Sequence, residues 1–142
     1  MTIANILKDK GDTVETVGTD RTVADAVALL AERRIGAVPV VEGDRVVGVF
    51  SERDVVYCVQ HAGAGGLSRS VGEVMTTPAV TVTPADSVIA ALALMTRRRI
   101  RHLPVMNDDR LVGIVSIGDL VKHRIERIES EAAQMRDYIQ SA

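Results

Sequence analysis

Ile35-Gly-Ala-Val-Pro-Val-Val41, a polar turn, and then Val46-Val-Gly-Val-Phe-Ser-Glu-Arg-Asp54 form the stretch that decides the fold, because the chain writes it twice. Ile100-Arg-His-Leu-Pro-Val-Met106 and Leu111-Val-Gly-Ile-Val-Ser-Ile-Gly-Asp119 repeat it 65 residues later. Extending the register outward aligns 16–56 with 81–121 without a gap, and 18 of those 41 positions are identical. Shared helical composition would match alanines and leucines. It would not also match Pro39 with Pro104, Gly48 with Gly113, Ser51 with Ser116 and Asp54 with Asp119. The chain is an internal duplication, and that decides its architecture.

Each copy reads alike. A short extended piece (Thr16–Val17; Thr81–Val82) leads into a helix with apolar residues at i, i+3, i+4 and i+7: Val23, Ala26, Val27, Leu30 in one, Val88, Ala91, Leu92, Met95 in the other. Both helices end in arginines, which suit the negative helix C-terminus. Ala37–Val41 and Val46–Phe50, or His102–Met106 and Leu111–Val115, flank a short polar turn and read as a hairpin. A second helix begins near Ser51 or Ser116. The unit is β-α-β-β-α and the class α+β. One copy has too little interior to stand alone, so two should pack about a pseudo-twofold axis. The expected divisions are 3–60, a flexible joint at 61–70 rich in Gly and Ser, 71–124, and a helical extension at 125–142. Ser70-x-x-Glu73 offers a capping box for a short helix ending near Met75.

Composition removes several function classes. The 142 residues are 46% hydrophobic but only 2% aromatic, and the formal charge is −2. Rings for stacking single-stranded bases and a basic field for nucleic acid are both lacking. Lone Cys58 excludes an intrachain disulfide, and His61, His102 and His123 lack metal-ligand spacing. No segment has the roughly 20 apolar residues of a membrane span, nor has Met1–Lys10 the look of a signal peptide. A cytoplasmic protein that binds neither nucleic acid nor membrane is the expectation. No nucleophile–base pair or Walker-type phosphate loop suggests an enzyme.

With Gly48-Val-Phe-Ser-Glu-Arg-Asp54, Gly113-Ile-Val-Ser-Ile-Gly-Asp119, the two Pro-Val strands and Val74-Met-Thr-Thr-Pro78 in view, the chain resembles the CBS family, named after cystathionine beta-synthase. The resemblance covers about residues 3–122. It implies clefts between the copies that bind AMP, ADP, ATP, NAD or S-adenosylmethionine, and a regulatory rather than catalytic role. It also places Val38-Pro39 and Leu103-Pro104 along the adenine pocket. Chemically, Asp54 and Asp119 can accept a ribose diol, while Ser51 and Ser116 at helix starts can donate to ribose or phosphate. The same Ser-x-x-Asp pattern is a capping box, and the two roles are compatible. Arg101 and His102 stand where the first copy has Gly36 and Ala37, so they are expected to make the second site the better phosphate binder. Arg53, opposite Gly118, either reaches phosphate in the first site or faces solvent.

From Ile117 an apolar stripe runs through Val121, Ile125, Ile128, Ala132, Met135 and Ile139. A helix of about 24 residues would be ~36 Å long, and its distal half needs cover, from within the chain or, as is expected, from a homodimer. The leading function is a ligand sensor acting on an unknown effector protein. The alternative is a protein-interaction scaffold with unoccupied clefts.

Overall fold

Thr22 and Ser87, one repeat apart, start the first helix of each copy in the same way. The Thr22 hydroxyl accepts from the Asp25 amide at 3.1 Å and the Ser87 hydroxyl from the Ala90 amide at 3.0 Å, which satisfies an otherwise orphaned donor. The structure is a computed structural model describing residues 1–11 and 13–141, so Ala142 of the expected extension lies outside the described residues. Its elements run α1 (Ile3–Lys10), β1 (Val17–Gly18), α2 (Val23–Arg33), β2 (Ala37–Glu42), β3 (Arg45–Ser51), α3 (Glu52–Ala62), a 3-10 helix (Gly63–Ser68), α4 (Val71–Val74), α5 (Val88–Arg98), β4 (His102–Asn107), β5 (Arg110–Ser116) and α6 (Ile117–Ser141). Helices α2 and α5 both end on an arginine in the left-handed region, Arg34 (φ 54°) and Arg99 (φ 55°). The next amide closes each helix, Ile35 onto the Leu30 carbonyl at 3.0 Å and Ile100 onto Met95 at 3.1 Å.

The two hairpins share register and irregularity. Pro39 pairs with Val49 and Pro104 with Ile114, and each hairpin carries a bulge one residue later, at Val40/Val41 and Val105/Met106. Their turns need a left-handed residue, supplied by Gly43 (φ 62°) and Asp108 (φ 55°). β1 pairs parallel to β2 through Val17–Val40 and Gly18–Val41. Its counterpart in the second copy contributes a single parallel bridge, Val82 to Val105. The expected extended piece at Thr81–Val82 is therefore present but forms no strand.

Two cores form, and each borrows a helix from the other copy. Ile3 and Ile6 of α1 pack with Val82, Val88, Met95, Leu103, Val115 and Leu120 of the second copy. Val71 of α4 packs with Val17, Val23, Val38, Val40 and Phe50 of the first. The backbone joints match: Ile3 and Ala4 amides donate to Asp86 and Pro84 carbonyls, while Val71 and Gly72 donate to Arg21 and Thr19. Sequence position had grouped α1 with 3–60 and α4 with 71–124; packing exchanges them.

Residues 61–70 differ from the flexible joint expected of their composition. Gly63–Ser68 winds into a 3-10 helix and Gly66 is buried. The Cys58 thiol donates to its carbonyl at 3.4 Å. A Cβ on Gly66 would lie 2.7 Å from that sulfur, so glycine here permits close packing against α3. The Ser70–Glu73 capping box does not form either, because Glu73 pairs with Arg69 at 3.1 Å.

Candidate functional site

Ser51 and Asp54 show how a helix start becomes a binding wall. Asp54 Oδ2 accepts from the Ser51 amide at 2.9 Å and from its hydroxyl at 3.2 Å. Its other oxygen accepts from the Thr76 hydroxyl at 2.9 Å. Thr76 is held in turn by paired backbone bonds to Val49, each 2.9 Å. Asp54 is only 7% exposed, so every bond counts: a buried carboxylate needs its acceptors filled.

These groups line a cavity of about 620 Å³ where the two copies meet. Glu52 and Arg53 of α3, Arg98 of α5, and Arg101 and His102 at the start of β4 complete its polar wall, with Pro78, Ala79 and Val80 beside them. The volume suits a drug-sized or nucleotide-sized ligand. Arg53 is exposed, and its guanidinium donates to the Arg99 carbonyl at 2.7 Å, bridging the copies. Burial pushes the His102 imidazole below the ordinary histidine range, with Lys10 and Arg101 acting the same way and Glu52 and Asp119 opposing. It is therefore mainly a neutral N–H donor at pH 7.

Arg101 and His102 are the residues expected at Asp119's site, and the Asp119 charge does act on the His102 imidazole. They line the cavity that holds Asp54. Gly36 explains the placement, since a Cβ there would lie 3.0 Å from His102 Cε1. The small residues of one copy make room for the large ones of the other across the pseudo-twofold axis.

Val38 and Leu103, expected along the adenine pocket, sit deeper in the molecule. Both are fully buried in the cores, and Pro39 and Pro104 are buried with them. None of the four is among the residues that line the Asp54 cavity. Ser116 and Asp119 form a reciprocal cap, Ser116 amide to Asp119 Oδ2 at 2.8 Å and Asp119 amide to Ser116 Oγ at 3.1 Å. Asp119 also takes the Lys10 ammonium at 2.6 Å. Burial alone would raise its carboxyl, but the Lys10 and Ser116 contacts outweigh that and hold it below the usual carboxylate range. Sequence reasoning missed Thr76, Glu52 and Lys10, and it assigned Arg98 to a solvated helix end although the residue lines the cavity. The Met-Thr-Thr-Pro phrase marked the neighbourhood of Thr76, but Lys10 precedes the aligned repeat and gave no signal.

A model of the CBS domain matches residues 11–61 and again 71–126. The chain belongs to the CBS-domain family. It is a CBS pair, a regulatory module built of two such motifs. It is 36% identical over 148 residues to the mitochondrial CBS domain-containing protein CBSX3 of Arabidopsis thaliana, covering 98% of this chain and 72% of that one. The structure of the CBS-domain protein ATU1752 from Agrobacterium tumefaciens superposes with a TM-score of 0.85 at 39% identity, over 87% of this chain and 99% of that one. The CBS pair of protein MJ0100, in complex with 5′-methylthioadenosine and S-adenosylmethionine, shares the fold at a TM-score of 0.79 and 21% identity, over 89% and 98%. Among the described residues no helix is long and apolar enough to cross a membrane, and no cluster of three or more His, Cys, Asp or Glu could hold a metal ion.

Proposed function

We propose that this CBS pair is a ligand sensor whose Asp54 cleft binds a phosphorylated adenosine compound, AMP, ADP, ATP or NAD, and passes occupancy to an effector protein. The cavity that unites a buried carboxylate with three arginines carries the reading. In this reading Asp54 accepts the ribose diol when the Thr76 hydroxyl swings aside, and Arg98, Arg101 and neutral His102 take phosphate. Arg53 keeps its tie to Arg99 and steadies the wall. The MJ0100 pair, in complex with two adenosine compounds, supports an adenosine ligand; at that identity, the preference of this chain rests on its own residues. The apolar stripe on α6 supports a homodimer as the assembled form.

Titration calorimetry with adenosine, AMP, ADP, ATP, NAD and S-adenosylmethionine tests the ligand. AMP should bind more tightly than adenosine. Asp54→Asn keeps an acceptor for the helix cap but loses the charge, and should weaken AMP by about 10- to 100-fold, the worth of a hydrogen bond to a charged group. Equal affinity in the variant sinks the assignment of Asp54. No binding by any of the six favours the scaffold reading.

A further inference from the structure

Helices α1 and α4 enter equivalent places and then part company. Leu7 of α1 lies against Gly113 as Met75 lies against Gly48. α4 stops at Val74, and the chain runs on extended to present the neutral Thr76 hydroxyl to Asp54. α1 continues to Lys10, whose ammonium donates to Asp119 Oδ2 at 2.6 Å and to the Ile114 carbonyl at 2.9 Å. Asp119 and Ile114 are the repeat partners of Asp54 and Val49, the two residues that hold Thr76. One corner of the pair thus carries a hydroxyl and its mate a cation.

We propose that Lys10 is an intramolecular competitor for the diol acceptor Asp119, so that the Asp54 cleft fills first and its pseudo-twofold mate fills only when the last turn of α1 lets go. The inference rests on the reading of the Asp54 cleft as a nucleotide site. Three observations support it. Charge-assisted bonds are roughly twice as strong as neutral ones, so displacing Lys10 costs more than turning a hydroxyl. The two side chains remain 39% and 27% exposed, so the contact can open without unfolding a core. Lys10 is the last residue of α1 before Gly11, where helix ends fray most readily. The competing cation comes from residues 3–10, which lie outside the matched family segments. A cleft that is competent only part of the time shows an affinity reduced by that fraction.

The test is calorimetric titration of AMP into the full chain, Lys10→Met, Asp54→Asn and the double variant, with Lys10→Gln as a second neutral replacement and circular dichroism melting to confirm folding. The full chain should show one tight step and one weak step. Lys10→Met and Lys10→Gln should tighten the weak step on the order of tenfold and leave the tight step unchanged. In the Asp54→Asn background, neutralising Lys10 should restore a single strong step. A weak step that is unchanged or weakened by Lys10→Met, while the tight step persists, overturns the competition alone. Two equal steps in the full chain overturn it as well. Absence of AMP binding in every variant overturns the nucleotide reading, and the competition with it.

Discussion

Asp54 caps a helix and walls a cavity with the same two oxygens, and Gly48 is what lets Thr76 reach it. A Cβ on Gly48 would lie 2.6 Å from the Thr76 carbonyl, a backbone atom pinned by its bond to the Val49 amide. Gly48→Ala therefore has to push the Met75–Thr76 segment outward and pull the hydroxyl off Asp54. The expected cost is about 1–3 kcal/mol, the range for overpacking a filled site, read as a lower urea midpoint. Gly65→Ala meets nothing within 4 Å and serves as the control. Gly113→Ala is the informative intermediate, because its nearest neighbour is the flexible tip of Leu7 rather than backbone. It should cost less than Gly48→Ala. Equal midpoints for all three would mean that Thr76 is not held where the hydrogen bonds place it.

At the scale of the element, α6 is the part of the chain with the least to hold it. It spans 25 residues, roughly 37 Å at 1.5 Å per residue, and Leu120 is its one buried side chain. Ile125, Ile128, Met135 and Ile139 lie exposed along the stripe, Ile139 at 66%. Pairs such as Arg127–Glu131 at 3.0 Å add only ~0.2–0.5 kcal/mol each to a helix. A stripe of this length is stable when covered. Truncation after Arg127 should convert a sedimenting dimer to a monomer at matched concentration without changing the melting of the pair, whose core ends at Leu120. A dimer indifferent to truncation would place the interface on the motifs themselves. The helix was legible because its period is long and regular, and the hairpins because Pro, Gly and Asp recur in register. α1 was not, for a physical reason: Thr2-Ile-Ala4 occupies the place of Ser70-Val-Gly72 at a spacing of 68 rather than 65, so an ungapped comparison passes it by. The site suffered in the same way. Asp54 and Ser51 were readable from the motif, whereas the meeting of His102 with Gly36 depends on how two copies face each other, which no local pattern encodes.

The exchange of α1 and α4 governs the molecule as a whole. If each motif kept its own lead-in helix, two small domains could unfold independently. Here Ile3, fully buried, belongs to the core around Leu103 and Leu120, and Val71, fully buried, belongs to the core around Val38 and Phe50. Covalent connection then runs from each core through the other, so loss of one exposes apolar surface in both. Neither half has much interior to spare at this size. Ile3→Ala removes buried methyl groups and leaves a cavity, an expected loss of about 2–4 kcal/mol; Val71→Ala, a smaller deletion, should lose somewhat less. The decisive feature is the shape of the transition. Both variants should lower the midpoint of a single cooperative urea transition, seen alike in circular dichroism and in exchange of amides from β2 and from β4. Ile3→Ala should accelerate exchange in β2 of the first motif even though its own contacts lie in the second. If it instead splits the curve, with β4 amides exchanging early and β2 amides protected as before, the copies are independent and the swapped helices are merely neighbours. Cooperativity of this kind would serve the proposed sensor, since a ligand gripping the first copy at Asp54 and the second at Arg101 would stabilise both cores at once.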